Sequence, residues 1–350
     1  MTERKIPEGT PVLVTGATGF TGAVLTRKLA EAGLKINAIA RETSNTQQLA
    51  DLDINWFKGD VFNPETVSAA ADGVEYIFHV AAAFREAKLS DIDYWNVHFK
   101  STKLLAEASL KNSSFKRFVH ISTVGVHSHI ENPPADENYP IQPGDIYQKT
   151  KAEAELWLRE FAKEHNLPYT ILRPAAIYGP GDKRLLKVFK MAAWKYFPLI
   201  GRGKCLYHLI HVEDLANIMI LAATHEAALG EVFICGNPEC FSLEQIGKTV
   251  AEILNNNFKI IRLPAWPFFV AGYLCEFICK PFGIEPPIYP RRVAFFTKDR
   301  SFDTLKLRKT LGYQVKYSNE QGLKQTAEWY IEQGWMRKRR MNDEKRREEI

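Results

Sequence analysis

The stretch Pro11-Val-Leu-Val-Thr-Gly-Ala-Thr-Gly-Phe-Thr-Gly22 constrains this chain more than any other. Val12 to Thr15 has the length and apolar character of a short buried parallel strand. Gly16, Gly19 and Gly22 come next as a turn, and Ala23 to Ala32 places Val24, Leu25 and Leu29 on one helical face. In such a strand–turn–helix, one glycine lets the chain turn sharply and a second lets the backbone approach a pyrophosphate. The third lets helix and strand pack closely, and the helix N-terminus offers unpaired N–H groups to phosphates. The spacing is Gly-x-x-Gly-x-x-Gly, one residue longer than the general dinucleotide fingerprint, so its meaning depends on the rest of the chain.

Beyond the first helix, strands and helices alternate. Further strands are expected at Lys35–Ala40, Ile54–Lys58, Glu75–Val80, Arg117–Ser122 and Tyr169–Leu172. Between them, a short helix starts at Pro64 behind its Asn63 cap, and long helices run over Asp93–Lys111 and Ile146–His165. This pattern predicts an α/β fold, a Rossmann-type doubly wound parallel sheet, over residues 8–182. After Gly179-Pro-Gly-Asp182 the alternation degrades. Helices are expected near Leu185–Trp194, Val212–His225, Leu243–Asn255 and Glu320–Gln333. Residues 183–334 read as a smaller, mostly helical substrate-binding cap, partly interleaved with the first domain and folded over the sheet's C-terminal edge. Residues 335–350 form a charged tail.

A net charge of +5 over 350 residues gives no mandate for nucleic acid. Cys205, Cys235, Cys240, Cys275 and Cys279 contain no Cys-x-x-Cys pair, and no metal site is expected. Met1 to Thr10 is charged and contains Pro7, unlike a signal peptide, so a reducing cytoplasmic setting is the expectation. The apolar run Ala265–Phe282 is interrupted by Pro267, Glu276, Lys280 and Pro281 and is too short to span a bilayer. It reads as a buried helix lining the cap, with an interfacial, lipid-facing helix as the alternative. The tail from Arg337 reads as solvated, with weak contact to anionic lipid as its alternative.

The chemistry centres on Tyr147-Gln-Lys-Thr-Lys151. Tyr and Lys at i, i+4 share one helical face. A phenol, with a pKa near ~10, is a poor base at neutral pH. A neighbouring ammonium favours phenolate and brings it toward the range that general acid–base chemistry needs. Upstream, His120-Ile-Ser-Thr123 ends a strand at the same sheet edge as the glycine turn, where a hydroxyl can hold a substrate oxygen.

These elements, in this order, make the chain resemble an extended short-chain dehydrogenase/reductase from about residue 11 to 334. That group contains nucleotide-sugar epimerases and dehydratases, 3β-hydroxysteroid dehydrogenases and dihydroflavonol reductases. The resemblance implies catalytic roles for Thr123, Tyr147 and Lys151. It implies cofactor contacts from Gly16, Thr18, Gly19, Phe20 and Gly22, from Asp60 and Val61, and from Ala81, Ala82 and Ala83. Asn96, Ser122, Tyr147, Lys151, Pro174 and Ile177 complete that implied set, the last two within Arg173-Pro-Ala-Ala-Ile-Tyr-Gly-Pro-Gly-Asp182. His211-Val-Glu-Asp-Leu-Ala216 matches a later family motif. His127-Ser128 departs from a Tyr-Gly pair common in the family. Arg41 stands where NAD-preferring members carry an acid, and with Ser44 it points to NADP(H) in preference to NAD(H).

For substrate, the cap's aromatic residues and the likeness of Ala265–Arg292, Phe302-Asp303 and Leu311-Gly-Tyr313 to steroid-dehydrogenase-like and hopanoid-associated branches imply an apolar, steroid- or terpenoid-like alcohol or carbonyl. A nucleotide-sugar epimerase or dehydratase is the alternative, with Arg184, Arg202, Lys204, Arg291 and Arg292 available to a diphosphate. A catalytically silent cofactor-binding regulator is the third reading, opposed by the presence of Thr123, Tyr147 and Lys151. The resemblance also implies a homodimer formed through the two long helices.

Overall fold

Seven strands form one parallel sheet in this structure, a computed structural model that describes residues 5–83, 90–201, 203–279, 281, 286, 293 and 299–336. They are β1 (Pro11–Thr15), β2 (Lys35–Ala40), β3 (Ile54–Lys58), β4 (Tyr76–His79), β5 (Arg117–Ile121), β6 (Tyr169–Pro174) and β7 (Val232–Cys235). Their spatial order is β7-β6-β5-β4-β1-β2-β3. The chain steps outward from β1 to β3, then returns to β4 on the other side of β1. The ends of β1 and β4 therefore diverge, and this switch point is where an open α/β sheet leaves a crevice. The Rossmann-type α/β architecture is thus present. Its seventh strand comes from residues 232–235, in the stretch read from sequence as cap. A four-residue apolar strand amid helices carries no periodicity to reveal it.

Alternation along β1 sorts the core. Val12 and Val14 face α1 (Phe20–Glu31) through Leu25 and Leu29, whereas Leu13 joins Ile77, Phe118 and Leu158 on the other side. Local chemistry sets the helix starts. Asn63 accepts from Thr66 N at 2.9 Å to open α2 (Pro64–Ala71), with Pro64 at its first position. The expected long helix at Asp93–Lys111 is instead α3 (Asp91–Tyr94), a π-helical turn (Trp95–Lys100) and α4 (Ser101–Ser109). Within it Ser101 Oγ and Thr102 Oγ1 donate to Val97 O and His98 O. Such hydroxyl bonds compete with the backbone ladder, and the wider turn turns His98 into the protein. α5 (Ile146–His165) is capped by Asp145, which accepts from Gln148 N at 2.8 Å.

The second half builds its own core from α6 (Leu186–Ala192), α8 (Leu243–Ile253) and helix Asn319–Glu332 through Phe189, Ile246, Val250, Leu323 and Tyr330. The short strands expected between its helices pair into ribbons, including Tyr196–Ile200 with Lys259–Leu263. α7 (Val212–Thr224) packs on the sheet, placing Leu215, Ile218 and Met219 in the same core as Val12. The apolar run at 265 forms α9 (Trp266–Cys279), in which Gly272 is the one buried residue. The expected buried helix is therefore corrected: Trp266, Tyr273, Phe277 and Ile278 are all exposed. Apolar composition calls for removal from water, and among the described residues this chain leaves that face uncovered. The end of that run at Lys280 and Phe282, together with Arg202, Arg291, Arg292 and the tail from Arg337, lies outside the described residues.

Candidate active site

The glycine turn is closed by the turn after β4. Gly16 has φ +72°, and a Cβ there would lie 2.8 Å from the Ala81 backbone. A Cβ on Gly22 would sit 2.0 Å from Gly16 O, so the turn excludes any side chain at either position. Gly19 caps α1 without any side-chain bond, and the first turn holds no acid. The leading amides of α1 thus lack intrahelical partners and carry the positive end of its dipole. A side-chain-free cradle beside an uncapped helix start fits a pyrophosphate-bearing cofactor. Thr18 and Phe20 lie in the same turn, and a Cβ on Gly181 would approach the Phe20 ring at 3.5 Å. The Gly179–Asp182 turn therefore rests against the start of α1.

Arg41 is exposed at the end of β2, with Ser44 N donating to its carbonyl at 2.9 Å. No ion pair engages its guanidinium among the described residues. Asp60 and Val61 come after β3, half-buried, two strands from the crevice.

Ala81, Ala82 and Ala83 form the turn after β4, and buried polar groups pin it. Ala81 N donates to Thr15 Oγ1 at 3.2 Å, and Thr15 Oγ1 lies 2.7 Å from His79 Nδ1. His79 Nε2 meets Ser101 Oγ at 3.0 Å and Thr102 Oγ1 at 3.1 Å. Those hydroxyls already donate to carbonyls, which assigns the His79 proton to Nε2. The same logic fixes His98. Ala83 N donates to His98 Nε2 at 3.0 Å, so Nδ1 carries the proton toward Thr150 Oγ1 at 2.8 Å. Burial, with the Lys151 charge second, drives His98 down to about 2 and depresses His79 likewise, so both rings are neutral. His120 is also buried, and neither ring nitrogen has a partner among the described residues.

Lys151 stands one turn below Tyr147 on α5. It is 1% exposed, and its Nζ donates to Ile121 O at 2.8 Å and Ala81 O at 3.5 Å. Burial brings it down to about 7. Tyr147 is half-buried, with its ring edge-on to His98 at 5.2 Å. Thr123 leaves β5 and accepts from Gly125 N at 3.0 Å. A Cβ on Gly125 would touch both Thr123 Oγ1 and Gln148 Cγ, at 3.2 and 3.4 Å. Thr123 and the start of α5 thus face each other across a glycine.

One turn further along α5, Glu155 is fully buried. Ser122 Oγ donates to it at 2.6 Å, and Arg173 grips it with Nε and Nη2. Arg173 Nη1 also donates to His127 Nε2 at 3.1 Å and Glu137 O at 2.9 Å. The departure at His127 is therefore a buried acceptor for Arg173. The Ser122 hydroxyl, expected at the cofactor, is engaged by Glu155. Asn96 lies half-buried in the π turn, Pro174 is buried, and Ile177 O accepts from Arg184 Nη2. Arg184 is further held by Asp182, so two protein groups already occupy it.

Sequence reasoning missed Glu155, His98 and Thr150. Tyr147, Lys151 and Glu155 at four-residue steps carried a signal for the first. His98 had none, since its inward turn depends on the π segment. Among the described residues no group of His, Cys, Asp and Glu forms a metal centre.

The profile of the NAD dependent epimerase/dehydratase family matches residues 12–236. A sterol-4-alpha-carboxylate 3-dehydrogenase, decarboxylating, of Saccharomyces cerevisiae is 28% identical over 92% of this chain and 98% of that protein. A 3beta-hydroxysteroid-dehydrogenase/decarboxylase isoform of Arabidopsis thaliana is 27% identical over 79% of this chain, which spans about half (52%) of that longer protein. The UDP-glucose 4-epimerase of Thermotoga maritima superposes with a TM-score of 0.74 at 22% identity, covering 93% of this chain and 99% of that one.

Proposed function

The chain belongs to the NAD-dependent epimerase/dehydratase family, and from that premise we propose that it is an oxidoreductase acting on an alcohol or carbonyl carbon of an apolar, steroid- or terpenoid-like substrate. The observation that carries this reading is buried Lys151, one turn from Tyr147 on α5, with its Nζ on the carbonyls of Ala81 and of Ile121, at the strand end from which Thr123 leaves. Relatives similar over most of this chain are named for activities on sterols and hydroxysteroids, and they supply the substrate class.

A bound nicotinamide supplies or accepts hydride at the substrate carbon. The Tyr147 phenol exchanges a proton with the substrate oxygen, and the Thr123 hydroxyl orients that oxygen. The Lys151 ammonium favours the phenolate and holds the nicotinamide ribose. Gly16, Gly19 and the start of α1 receive the pyrophosphate, and Arg41 pairs with a 2′-phosphate, which favours NADP(H) over NAD(H).

A nucleotide-sugar epimerase or dehydratase is the competing reading. It is weakened by Arg184, whose guanidinium is committed to Asp182 and Ile177 O rather than open to a diphosphate. The test is turnover of nicotinamide absorbance with a panel of 3β-hydroxysteroids and their ketones, beside product analysis with UDP- and dTDP-sugars. Steroid-dependent turnover that falls roughly 10²–10⁴-fold in Tyr147→Phe, with cofactor affinity kept, is expected. Sugar-nucleotide conversion on tightly retained cofactor, or full activity in Tyr147→Phe, overturns the reading.

A further inference from the structure

The second half of the chain carries an apolar surface that the reaction does not use. α9 presents Trp266, Val270, Tyr273, Leu274, Phe277 and Ile278, each between 50% and 79% exposed. Their spacing of i, i+4, i+7, i+8, i+11 and i+12 places all six on one face. Gly272 and the half-buried Phe268, Phe269, Cys275 and Cys279 occupy the other. A surface helix ordinarily shows its polar side to water, and here the pattern is reversed. Scattered exposed apolar residues are normal, but a continuous stripe marks an interaction site.

The segment leading into α9 adds exposed apolar residues and basic ones, and these choose the partner. The chain enters α9 from the ribbon of Tyr196–Ile200 and Lys259–Leu263, where Tyr196 and Ile261 are exposed, as is Trp194 just before it. Lys259 is the register partner of Tyr196, and Lys195 Nζ lies 5.6 Å from the Tyr196 ring centroid. Lys190 and Arg262 add to this basic setting, Arg262 paired with Glu244, against one acid on α9, Glu276. Two copies packed through this patch would bring identical basic rims together, which is unfavourable. Anionic headgroups would neutralise them. Trp and Tyr, apolar bodies with polar tips, suit the headgroup boundary. At 14 residues the helix is about 21 Å long, short of the roughly 30 Å hydrocarbon core. No helix among the described residues is long and apolar enough to cross a membrane.

We propose that α9 is an in-plane interfacial helix that docks the protein on an anionic lipid surface, with Trp266, Tyr273, Leu274, Phe277 and Ile278 entering the headgroup–acyl boundary. Docking requires neither cofactor nor substrate, so it stands or falls independently of the reaction assigned above.

The test is flotation of the full chain with vesicles of phosphatidylcholine alone or mixed with phosphatidylglycerol. The wild type is expected to float with the mixed vesicles and more weakly with the neutral ones. Tryptophan emission should shift to the blue on mixing, by less in Trp266→Phe. The triple variant Leu274→Ser, Phe277→Ser, Ile278→Ser removes only exposed groups, and its partitioning should fall roughly tenfold or more. Phe277→Ser alone, expected to fall in the same direction, serves if the triple variant has a lowered melting midpoint. Wild type that stays with the soluble fraction in both mixtures overturns the proposal. So does undiminished binding by the serine variants, or a dimer that the triple variant dissolves in the absence of any vesicle binding.

Discussion

Lys151 is asked to hold a charge where charge is expensive. Burial lowers it to about 7, with the carbonyls of Ile121 and Ala81 as its partners among the described residues. In the ligand-free protein the unfolded chain therefore holds this proton more tightly between about pH 7 and the ordinary lysine value near ~10.4. This residue's cost to stability is full below that window and fades as pH rises through it. A bound dinucleotide brings negative charge and raises the lysine again, so its binding takes up a proton. Affinity for NAD(P)H should then be greatest below about pH 7 and weaken as pH rises beyond it. Fluorescence titration at several pH values checks this, and Lys151→Met should flatten the dependence. Arg41 gives a second expectation at this scale. Arg41→Asp should weaken NADPH at least tenfold, the worth of a charge-assisted contact of roughly 1.5–3 kcal/mol, and spare NADH. Equal loss for both cofactors rules out the pairing with a 2′-phosphate. The spacing of Tyr147 and Lys151 was legible because helix geometry alone puts i and i+4 together. The bond from Ala83 to His98 to Thr150 was not, because it joins three elements through one ring.

At the scale of elements, α5 is a rod with three polar levels a turn apart: half-buried Tyr147, then buried Lys151, then buried Glu155. The Glu155–Arg173 pair joins α5 to β6 with both side chains at 1% exposure or less, and Ser122 adds β5 through the same carboxylate. Breaking such a pair from one side leaves a buried charge unpaired, at about 3–5 kcal/mol. Glu155→Ala should therefore lower the urea midpoint sharply, whereas a Glu155→Leu, Arg173→Met double variant should recover much of the loss. A midpoint unchanged in Glu155→Ala removes this role. Helix and strand positions were readable wherever a period of two or 3.6 ran long enough. The π turn before α4 was invisible, since one extra residue in a turn leaves the amphipathic pattern almost unchanged. The exposed face of α9 was legible only as the alternative to burial: hydropathy records a need for cover without saying what meets it.

At the scale of the whole molecule, the two halves are stitched rather than joined end to end. α7 lies on the sheet, with Lys28 on α1 paired to Glu213 at 2.5 Å. Arg117 on β5 donates to Ala222 O at 3.0 Å, and Thr170 on β6 donates to Ala228 O at 2.7 Å. Asp214 receives Tyr313 Oη at 2.6 Å and Lys316 N at 2.7 Å, which ties the later chain to the same helix. Tyr313→Phe leaves one oxygen of a buried carboxylate short of a charge-assisted bond, at about 1.5–3 kcal/mol. Its melting midpoint should fall measurably while Tyr147-dependent turnover at low temperature is kept.

β7 gives this stitching a consequence for how the protein is made and how it can be recombined. During synthesis, β6 remains an open sheet edge until residue 235 has emerged, because its outer neighbour is supplied 58 residues later (from Pro174 to Val232). Exposed strand edges invite pairing with other chains, so the nascent protein passes through a sticky interval that lasts until α7 and β7 have emerged. A gene cut at residue 182 would freeze the chain in that interval. Grafting a relative's cap onto this sheet therefore calls for three crossovers, after residue 182, before α7 and after β7, with α7 and β7 travelling alongside the first 182 residues and only the flanking segments exchanged.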